Sequence, residues 1–439
     1  MPGSTTSPHV VIIGGGFAGL RAARALAGAD VRVTLLDRHN YHLFQPLLYQ
    51  VATASLSPGD IASPIRWILR HQKNVQVLLA DARAIEPSVR HVVIEPASDE
   101  AKCALSYDYL IVAAGATHSY FGHPDWAQHA PGLKTLDDAL EMRRRVLLAF
   151  EEAEREQDPD RQRRLLTFVI VGGGPTGVEL AGALAEIARE SLRQDFRRIR
   201  PELSRIVLLE GGPHVLASFP DSLRVAARQS LARLGVEVRT DSVVAAVDRD
   251  GVAWHSARPT NSENPPAMQR IDAGTVLWAA GVAASPLARS LGVPLDRVGR
   301  VLVSPTLAVP GHPEVFVVGD LCALQQDGHL LPGVAQVAMQ QGAHAARNIA
   351  RALVGQPLAA FRYRDHGTMA VIGRGSAVVD LGRVATSGLL AWLAWLFLHI
   401  FWLVGFRSRL AVLGEWSWAY LTSQRRVRLI TGDTRPSSD

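Results

Sequence analysis

Apolar positions along the chain fall into short runs closed by glycine, proline or an acid: VVII from Val10, VRVTLLD from Val31, VQVLLA from Val75, HVVIEP from His91 and YDYLIVAAG from Tyr107. The series continues with LLTFVIV from Leu165, RIVLLE from Arg205, VEVRT from Val236, TVLWAAG from Thr275 and EVFVVGD from Glu314. Runs of this length without polar alternation predict strands buried on both faces, and the helical patterns between them predict parallel sheets in an α/β fold. Two stretches share one order. His9 to Asp37 reads strand, glycine turn, Ala/Leu/Arg helix, strand, and Leu165 to Glu210 repeats it with GGGPTG as the turn, VELAGALAEIA as the helix and a longer basic connection before the second strand. Each is a βαβ unit, and their separation predicts two nucleotide domains rather than a tandem repeat.

Three stretches depart from this rhythm. From Asp137 to Arg164 charges dominate, ending in EEAEREQDPDRQRR, which predicts an exposed helix and a linker. Residues Pro259 to Pro266 carry two prolines with Asn and Ser and predict a surface loop. Residues 384 to 406 carry no formally charged side chain. A helix of that length, at about 1.5 Å per residue, reaches across a bilayer's hydrocarbon core or lies along its surface. Trp392, Trp395, His399, Trp402 and Phe406 fall on one helical face, which suits a membrane interface. The tail beyond holds Arg407, Arg409, Arg425, Arg426, Arg428 and Arg435 against Glu415, Asp433 and Asp439, with Trp416, Trp418 and Tyr420 among them. Such a tail would hold anionic headgroups while its rings sit at the boundary; the alternative is a buried core helix followed by a basic surface tail.

The chain has 439 residues, 48% of them hydrophobic and 20% charged, and a net charge of +5, so it folds into two or three domains and carries too little excess charge for nucleic acid. Cys103 and Cys322 are its two cysteines, which leaves no disulfide framework and no zinc spacing; both are expected to be ordinary buried thiols. His39, His42, His366 and His399 form no ligand cluster in sequence, and no metal site is expected. The N-terminus lacks a basic segment ahead of its short apolar run and does not read as a signal peptide.

Gly14, Gly16 and Gly19 form GxGxxG after a strand, and Asp37 closes the next strand. Such a turn lets backbone amides approach a pyrophosphate while the acid accepts a ribose hydroxyl. Phe17, Ala18 and Arg38 flank these positions. Gly172, Gly174 and Gly177, with Pro175 and Thr176 between them, repeat the turn, and Glu210 takes the place of the second ribose acid. A carboxylate there repels a 2′-phosphate and favours NADH over NADPH, with Arg205 nearby as a counterweight. Two such sites predict FAD retained in the first and NADH exchanging in the second, with hydride passing between them. Gly319 and Asp320, at the end of EVFVVGD, supply a carboxylate to the flavin's ribityl chain or, alternatively, a helix cap.

Carrying these motifs, the chain resembles the type II, non-proton-pumping NADH:quinone oxidoreductases, nearly end to end. The specific likeness lies in NYHLFQPLLYQVATASLSP from Asn40, in VAQVAMQQGAHAARNI from Val334 and in the C-terminal run from GTMAVIGRGSAVVDLG onward. The resemblance places Gln336, Gln340 and Gln341, with Ala335, beside the flavin and the quinone headgroup. It places Glu179 near the nicotinamide and flavin rings, where it would orient water or relay a proton. Ala82, Ala114 and Gly115 match backbone contacts to FAD, and Ala280 and Gly281 match a nicotinamide-side turn. It implies two Rossmann-like domains: FAD-binding residues 1–124 and 289–355, an inserted NADH-binding domain 125–288, and a membrane-attachment region 356–439. The implied activity is hydride transfer from NADH to FAD and two-electron reduction of a membrane quinone without proton pumping. The implied location is peripheral, on the cytoplasmic face of the cell membrane, with a homodimer left open. Reduction of a ferredoxin, sulfide:quinone chemistry and a membrane-bound flavin redox sensor with little turnover remain the alternatives.

Overall fold

The computed structural model describes residues 7–95, 103–258, 267–404, 406–422 and 427–431. The loop expected at Pro259–Pro266 lies outside the described residues, as do Arg425, Arg426, Asp433, Arg435 and Asp439 and the side chains of Phe406, Arg407 and Tyr420. The chain divides into two compact units. One joins Met1–Leu43, Ala62–Thr117 and Val282–His366, and the other joins Phe44–Ile61, His118–Gly281 and Gly367–Asp439.

In the first unit the sheet order is Ala308–Val309, His312–Val317, Tyr109–Val112, His9–Ile13, Arg32–Asp37, Val75–Leu79. All neighbours are parallel except the outermost pair, Ala308–Val309 with His312–Val317. Every residue of His9–Ile13 is buried, which is why VVII shows no alternation. The helix Phe17–Ala25 packs on the helix Ala335–Leu353, and a Cβ at Gly342 would stand 2.1 Å from the Ala18 carbonyl oxygen. Only glycine allows the two backbones so close.

The second unit repeats the plan in a parallel sheet ordered Val236–Arg239, Arg205–Leu209, Thr167–Val171, Thr275–Trp278. Its helix Pro175–Glu186 is covered by the strand Thr368–Gly373, again through a glycine: a Cβ at Gly182 would lie 1.6 Å from the Ile372 carbonyl oxygen. The charged stretch folds differently from expectation. Leu136–Arg155 is a capped helix whose Leu136, Ala139, Met142, Val146 and Phe150 are buried, so it is half-buried rather than an exposed arm. Those residues recur every three or four positions, and that stripe packs on the helix Leu48–Ala52.

The C-terminal region is an antiparallel sheet of Thr368–Gly373, Ser376–Asp380 and Ala385–Gly388, followed by the helices Leu389–Trp402 and Phe406–Thr422. Two expectations are corrected here. The uncharged segment is not one long helix: Leu389–Trp402 has 14 residues, about 21 Å at 1.5 Å per residue. Among the described residues no helix is long and apolar enough to cross a membrane. The expected aromatic face is also divided, with Trp395 turned inward and Trp402 exposed. Trp395 is 1% exposed, stacks on His399 and Trp416 at 4.5 and 5.3 Å, and shares its buried side with Ala391, while Leu390 and Phe397 are more than 70% exposed. Trp395 finds its partners inside the fold, whereas Trp402 on the same stripe is exposed, as are Leu389, Leu393 and Phe401.

Candidate active site

The two glycine turns are nearly the same object built twice. Gly14 and Gly172 hold φ of +101° and +107°, which L side chains rarely adopt, and each donates its N–H to the end of the adjoining strand, at Leu36 and Leu209, over 2.7 Å. A Cβ on Gly19 or on Gly177 would stand 1.8 Å from the carbonyl oxygen of the first glycine of its own turn, so the third glycine is what lets helix and strand close. At Gly16 and Gly174 a Cβ would meet nothing within 4 Å; that face is open for a ligand against the helix N-terminus.

Asp37 and Glu210 do more than wait for a ribose. Gly15 N–H donates to Asp37 Oδ2 at 2.6 Å and His39 N–H to its Oδ1 at 2.7 Å. Gly173 N–H donates to Glu210 Oε2 at 2.5 Å and Gly212 N–H to its Oε1 at 2.7 Å. Each strand-end acid clasps its own turn. Arg205, read as a counterweight to Glu210, donates two hydrogen bonds to Glu237 at 3.0 and 2.9 Å, which spends its charge on that carboxylate. Arg38 is exposed, and Phe17 packs edge-on against His42 at 5.1 Å. His42, buried, donates from Nδ1 to the Gly15 carbonyl at 3.0 Å and is held neutral because burial lowers its pKa. Nothing in sequence spacing marked this prop under the first turn.

The remaining first-unit candidates lie on four further stretches of that unit. Ala114 and Gly115 follow the strand Tyr109–Val112, with Gly115 at φ +67° and open space where a Cβ would be. Ala82 opens the strand Ala82–Glu86. Gly319 begins a short turn that holds the half-buried Asp320. Ala335, Gln336, Gln340 and Gln341 lie on the helix Ala335–Leu353. Gln341 is buried, takes the Gly319 N–H on Oε1 at 2.7 Å and reaches Cys322 Sγ at 3.6 Å, so it braces the Gly319 turn. Gln340 uses both ends of its amide on residue 364, donating to its carbonyl at 2.8 Å and accepting its N–H at 3.0 Å. Gln336, one turn earlier, is half-buried. The open cradle, the clasping acid and the glycine at Gly115 fit FAD in this unit.

In the second unit Pro175 and Thr176 begin the helix after the turn, and Ala280 and Gly281 follow the strand Thr275–Trp278, with Gly281 at φ +73°. Glu179 stands one helical turn in. Its carboxyl receives one long hydrogen bond, from Val371 N–H at 3.4 Å, and burial pushes its pKa up to about 8. It lines a cavity of about 80 Å³ together with Tyr49, Glu186, Glu190, Trp395 and Trp416 among others. The sequence reading reached Glu179 but missed Glu186 and Glu190, although their spacing places all three along one side of the helix. Cys103 is exposed, contrary to expectation, because it opens the edge strand Cys103–Ser106; Cys322 is buried, with its thiol pushed up to about 12 by desolvation, and both are free. Among the described residues no group of three His, Cys, Asp or Glu could hold a metal ion.

Two acid-clasped glycine turns, each at the edge of a parallel sheet, define the class of two-dinucleotide α/β reductases. Residues 8–342 match the family described as Pyridine nucleotide-disulphide oxidoreductase. The chain is 46% identical over 430 residues, 96% of its length and 90% of the relative's, to the Type II NADH:quinone oxidoreductase Ndh of Mycobacterium tuberculosis, and equally identical to NdhA of the same organism over 96% and 89%. The fold is that of the solved NDH2 from Plasmodium falciparum in complex with NADH, with a TM-score of 0.87 at 20% identity over 97% of this chain and 100% of that one. The chain thus belongs to the pyridine nucleotide-disulphide oxidoreductase family and, within it, to the type II NADH:quinone oxidoreductases, FAD-dependent NADH dehydrogenases.

Proposed function

We propose that this chain oxidises NADH and reduces a membrane quinone to quinol, taking one proton from solvent per turnover and moving no charge across the bilayer. The pair of acid-clasped glycine turns, in a chain with no pair of neighbouring cysteines, carries the reading. FAD, when bound, supplies a ring that accepts a hydride and gives up two electrons. The chain's residues do the rest. The Gly14–Gly19 turn and Asp37 hold one dinucleotide, with Gly115, Gly319 and Asp320 along the same sheet edge. The Gly172–Gly177 turn and Glu210 admit the other, and the carboxylate of Glu210 disfavours a 2′-phosphate now that Arg205 is engaged with Glu237. Glu179, protonated in its buried setting, keeps a transferable proton inside the second unit.

The same reading includes attachment to the cytoplasmic face of the cell membrane without a span. Leu389, Leu390, Leu393, Phe397 and Phe401 are exposed on one short helix, a band of apolar surface that a bilayer interface would cover. The side of attachment follows from where NADH is available. The reading is tested by mixing the purified protein with a short-chain quinone and either NADH or NADPH. NADH-dependent quinone reduction that exceeds the NADPH rate by about tenfold or more is expected from one misplaced charge at Glu210. Equal rates with both would remove the assigned role of Glu210, and no quinone reduction at all would remove the function.

A further inference from the structure

The turn Tyr120–His123 of the second unit is built against the preference of its own sequence. His123 N–H donates to the Tyr120 carbonyl at 3.0 Å, and the two residues between them hold φ of +51° at Phe121 and +94° at Gly122. Turns with positive φ at both central positions draw on glycine, asparagine and aspartate, and a bulky side chain at the first is an outlier. Phe121 is that outlier. Strain of this kind persists where something outside the turn requires it, and it gathers at ligand sites.

Packing is not what requires it. The rings on either side are anchored: Tyr120 stacks on the buried Trp278 at 5.1 Å and donates to the Ala130 carbonyl at 2.9 Å, and His123 stacks on Trp126 at 4.2 Å. Trp278 Nε1–H in turn donates to the Ser119 carbonyl at 2.9 Å, which fixes the start of the loop. Phe121, between them, is 66% exposed. Its ring stands tilted at 6.3 Å from Trp278, and its outer edge lies against Gly281, where a Cβ would come 2.6 Å from Cζ. A firmly held turn thus presents a phenyl ring to solvent at a glycine, although burying that ring would have been the stabilising choice.

The place of that glycine says what the ring awaits. In the second unit's sheet the strand Thr167–Val171, which leads into the Gly172 turn, lies between Arg205–Leu209 and Thr275–Trp278. A dinucleotide seated with its pyrophosphate on the Gly172 turn sends one half to each side. Its adenosine half goes to Glu210, just past Arg205–Leu209, so its nicotinamide half goes over the end of Thr275–Trp278. Neighbouring strands stand about 4.8 Å apart, and these two turns touch, since a Cβ on Gly172 would lie 2.7 Å from the Ala279 carbonyl oxygen. Ala280 and Gly281 follow at once, with the Phe121 ring against the second of them.

We propose that Phe121 is the apolar platform that receives the nicotinamide ring in the second unit, and that its strained turn keeps the ring aimed there before the ligand arrives. The inference rests on the function proposed above, in which the second turn admits NADH, and it adds the residue that holds the reactive end. A flat nicotinamide stacks on a phenyl face, and in the oxidised form its positive charge is drawn to that face as well. Phe121 takes no part in hydride transfer. It binds and orients the ring, and Gly281, lacking a Cβ, lets the platform lie close to the backbone beside it.

The test is calorimetric binding to the flavin-loaded protein, as wild type, Phe121→Asn and Phe121→Tyr. Asparagine accepts positive φ, so the turn survives the loss of its ring. The two ligands are NAD⁺ and ADP-ribose, which shares the adenosine, the pyrophosphate and both riboses but has no nicotinamide. Phe121→Asn should bind NAD⁺ about tenfold more weakly and ADP-ribose within about twofold of wild type, while Phe121→Tyr matches wild type with both. In turnover with NADH and a short-chain quinone, the KM for NADH rises by about the same tenfold in Phe121→Asn, with a smaller change in kcat. Unchanged NAD⁺ affinity in Phe121→Asn overturns the inference. So does an equal weakening of both ligands, since that reports a disturbed domain. A wild type that binds NAD⁺ with the expected loss in Phe121→Asn, yet reduces no quinone, overturns the proposed function and spares the platform; a wild type that binds no NAD⁺ brings down both.

Discussion

The two glycine turns match in dihedral angle, clasping acid and close helix approach, yet the helix behind each has a different cover. Behind the first, Ala18 meets Gly342 of a long helix from the same sheet's unit, small residue against small residue, and the interface is closed. Behind the second, Gly182 meets Ile372 of the C-terminal sheet, and beside that contact lies a cavity bearing Glu179, Glu186 and Glu190. The nucleotide turn is therefore the constant part, and what packs on the following helix is the variable one. The clasping carboxylates show the same division of constant and variable: Asp37 stands 22 residues beyond Gly15, and Glu210 stands 37 residues beyond Gly173, yet both accept that glycine's N–H.

The largest effect should separate the units outright. Gly19→Val drives side-chain atoms into the Gly14 carbonyl, costs about 3 kcal/mol or more, and yields protein with little flavin, read from the ratio of flavin to protein absorbance. Gly177→Val makes the same clash in the second unit and should leave the flavin in place while abolishing its reduction by NADH. If both variants lose flavin equally, the units are not independent sites. Next, Glu179→Gln should slow quinone turnover by about a hundredfold at neutral pH while flavin content stays normal. Wild-type turnover would assign Glu179 to packing alone.

Smaller effects probe the edges. Phe397→Glu, on the exposed side of Leu389–Trp402, should weaken sedimentation with anionic liposomes by about thirtyfold, from roughly 2 kcal/mol of apolar burial lost, whereas Trp395→Phe should not, because Trp395 faces inward. The reverse ranking would restore the aromatic stripe as the membrane face. The smallest is a stability trend. The Glu179 carboxyl titrates at about 8 in the fold and near 4.5 when unfolded, so its protonated form stabilises the protein fully below the unfolded value and loses that contribution as pH rises through about 8. Tm of wild type relative to Glu179→Gln should fall by a few degrees between about pH 5 and about pH 9; a flat difference would mean the carboxyl is solvated.

Both nucleotide units were legible because their determinants are local: a strand, three glycines at fixed spacing and one acid at the next strand's end lie within one βαβ segment each. The C-terminal region was not. Its helix is apolar all round, so spacing could place Trp392, Trp395 and His399 on a common face without saying which way the face turned. That depended on Gln50, which accepts from Trp416 Nε1 at 2.7 Å, and on Phe44, which packs on His399, residues more than 300 positions away in sequence. Leu136–Arg155 departs from expectation for the opposite reason: its buried stripe is regular, but the charged residues between its members dominate the composition of the stretch. The glutamines show a third limit: the backbone at 319 and 364 that occupies Gln341 and Gln340 is unreadable from spacing.

The most direct test of the account is an anaerobic mixing experiment on the purified, untreated protein. Stoichiometric NADH should bleach the flavin absorbance within a single exposure, NADPH should do so far more slowly, and a short-chain quinone added afterwards should bring the colour back without oxygen. A colourless protein, or a flavin that NADH cannot bleach or that quinone cannot recolour, would contradict it.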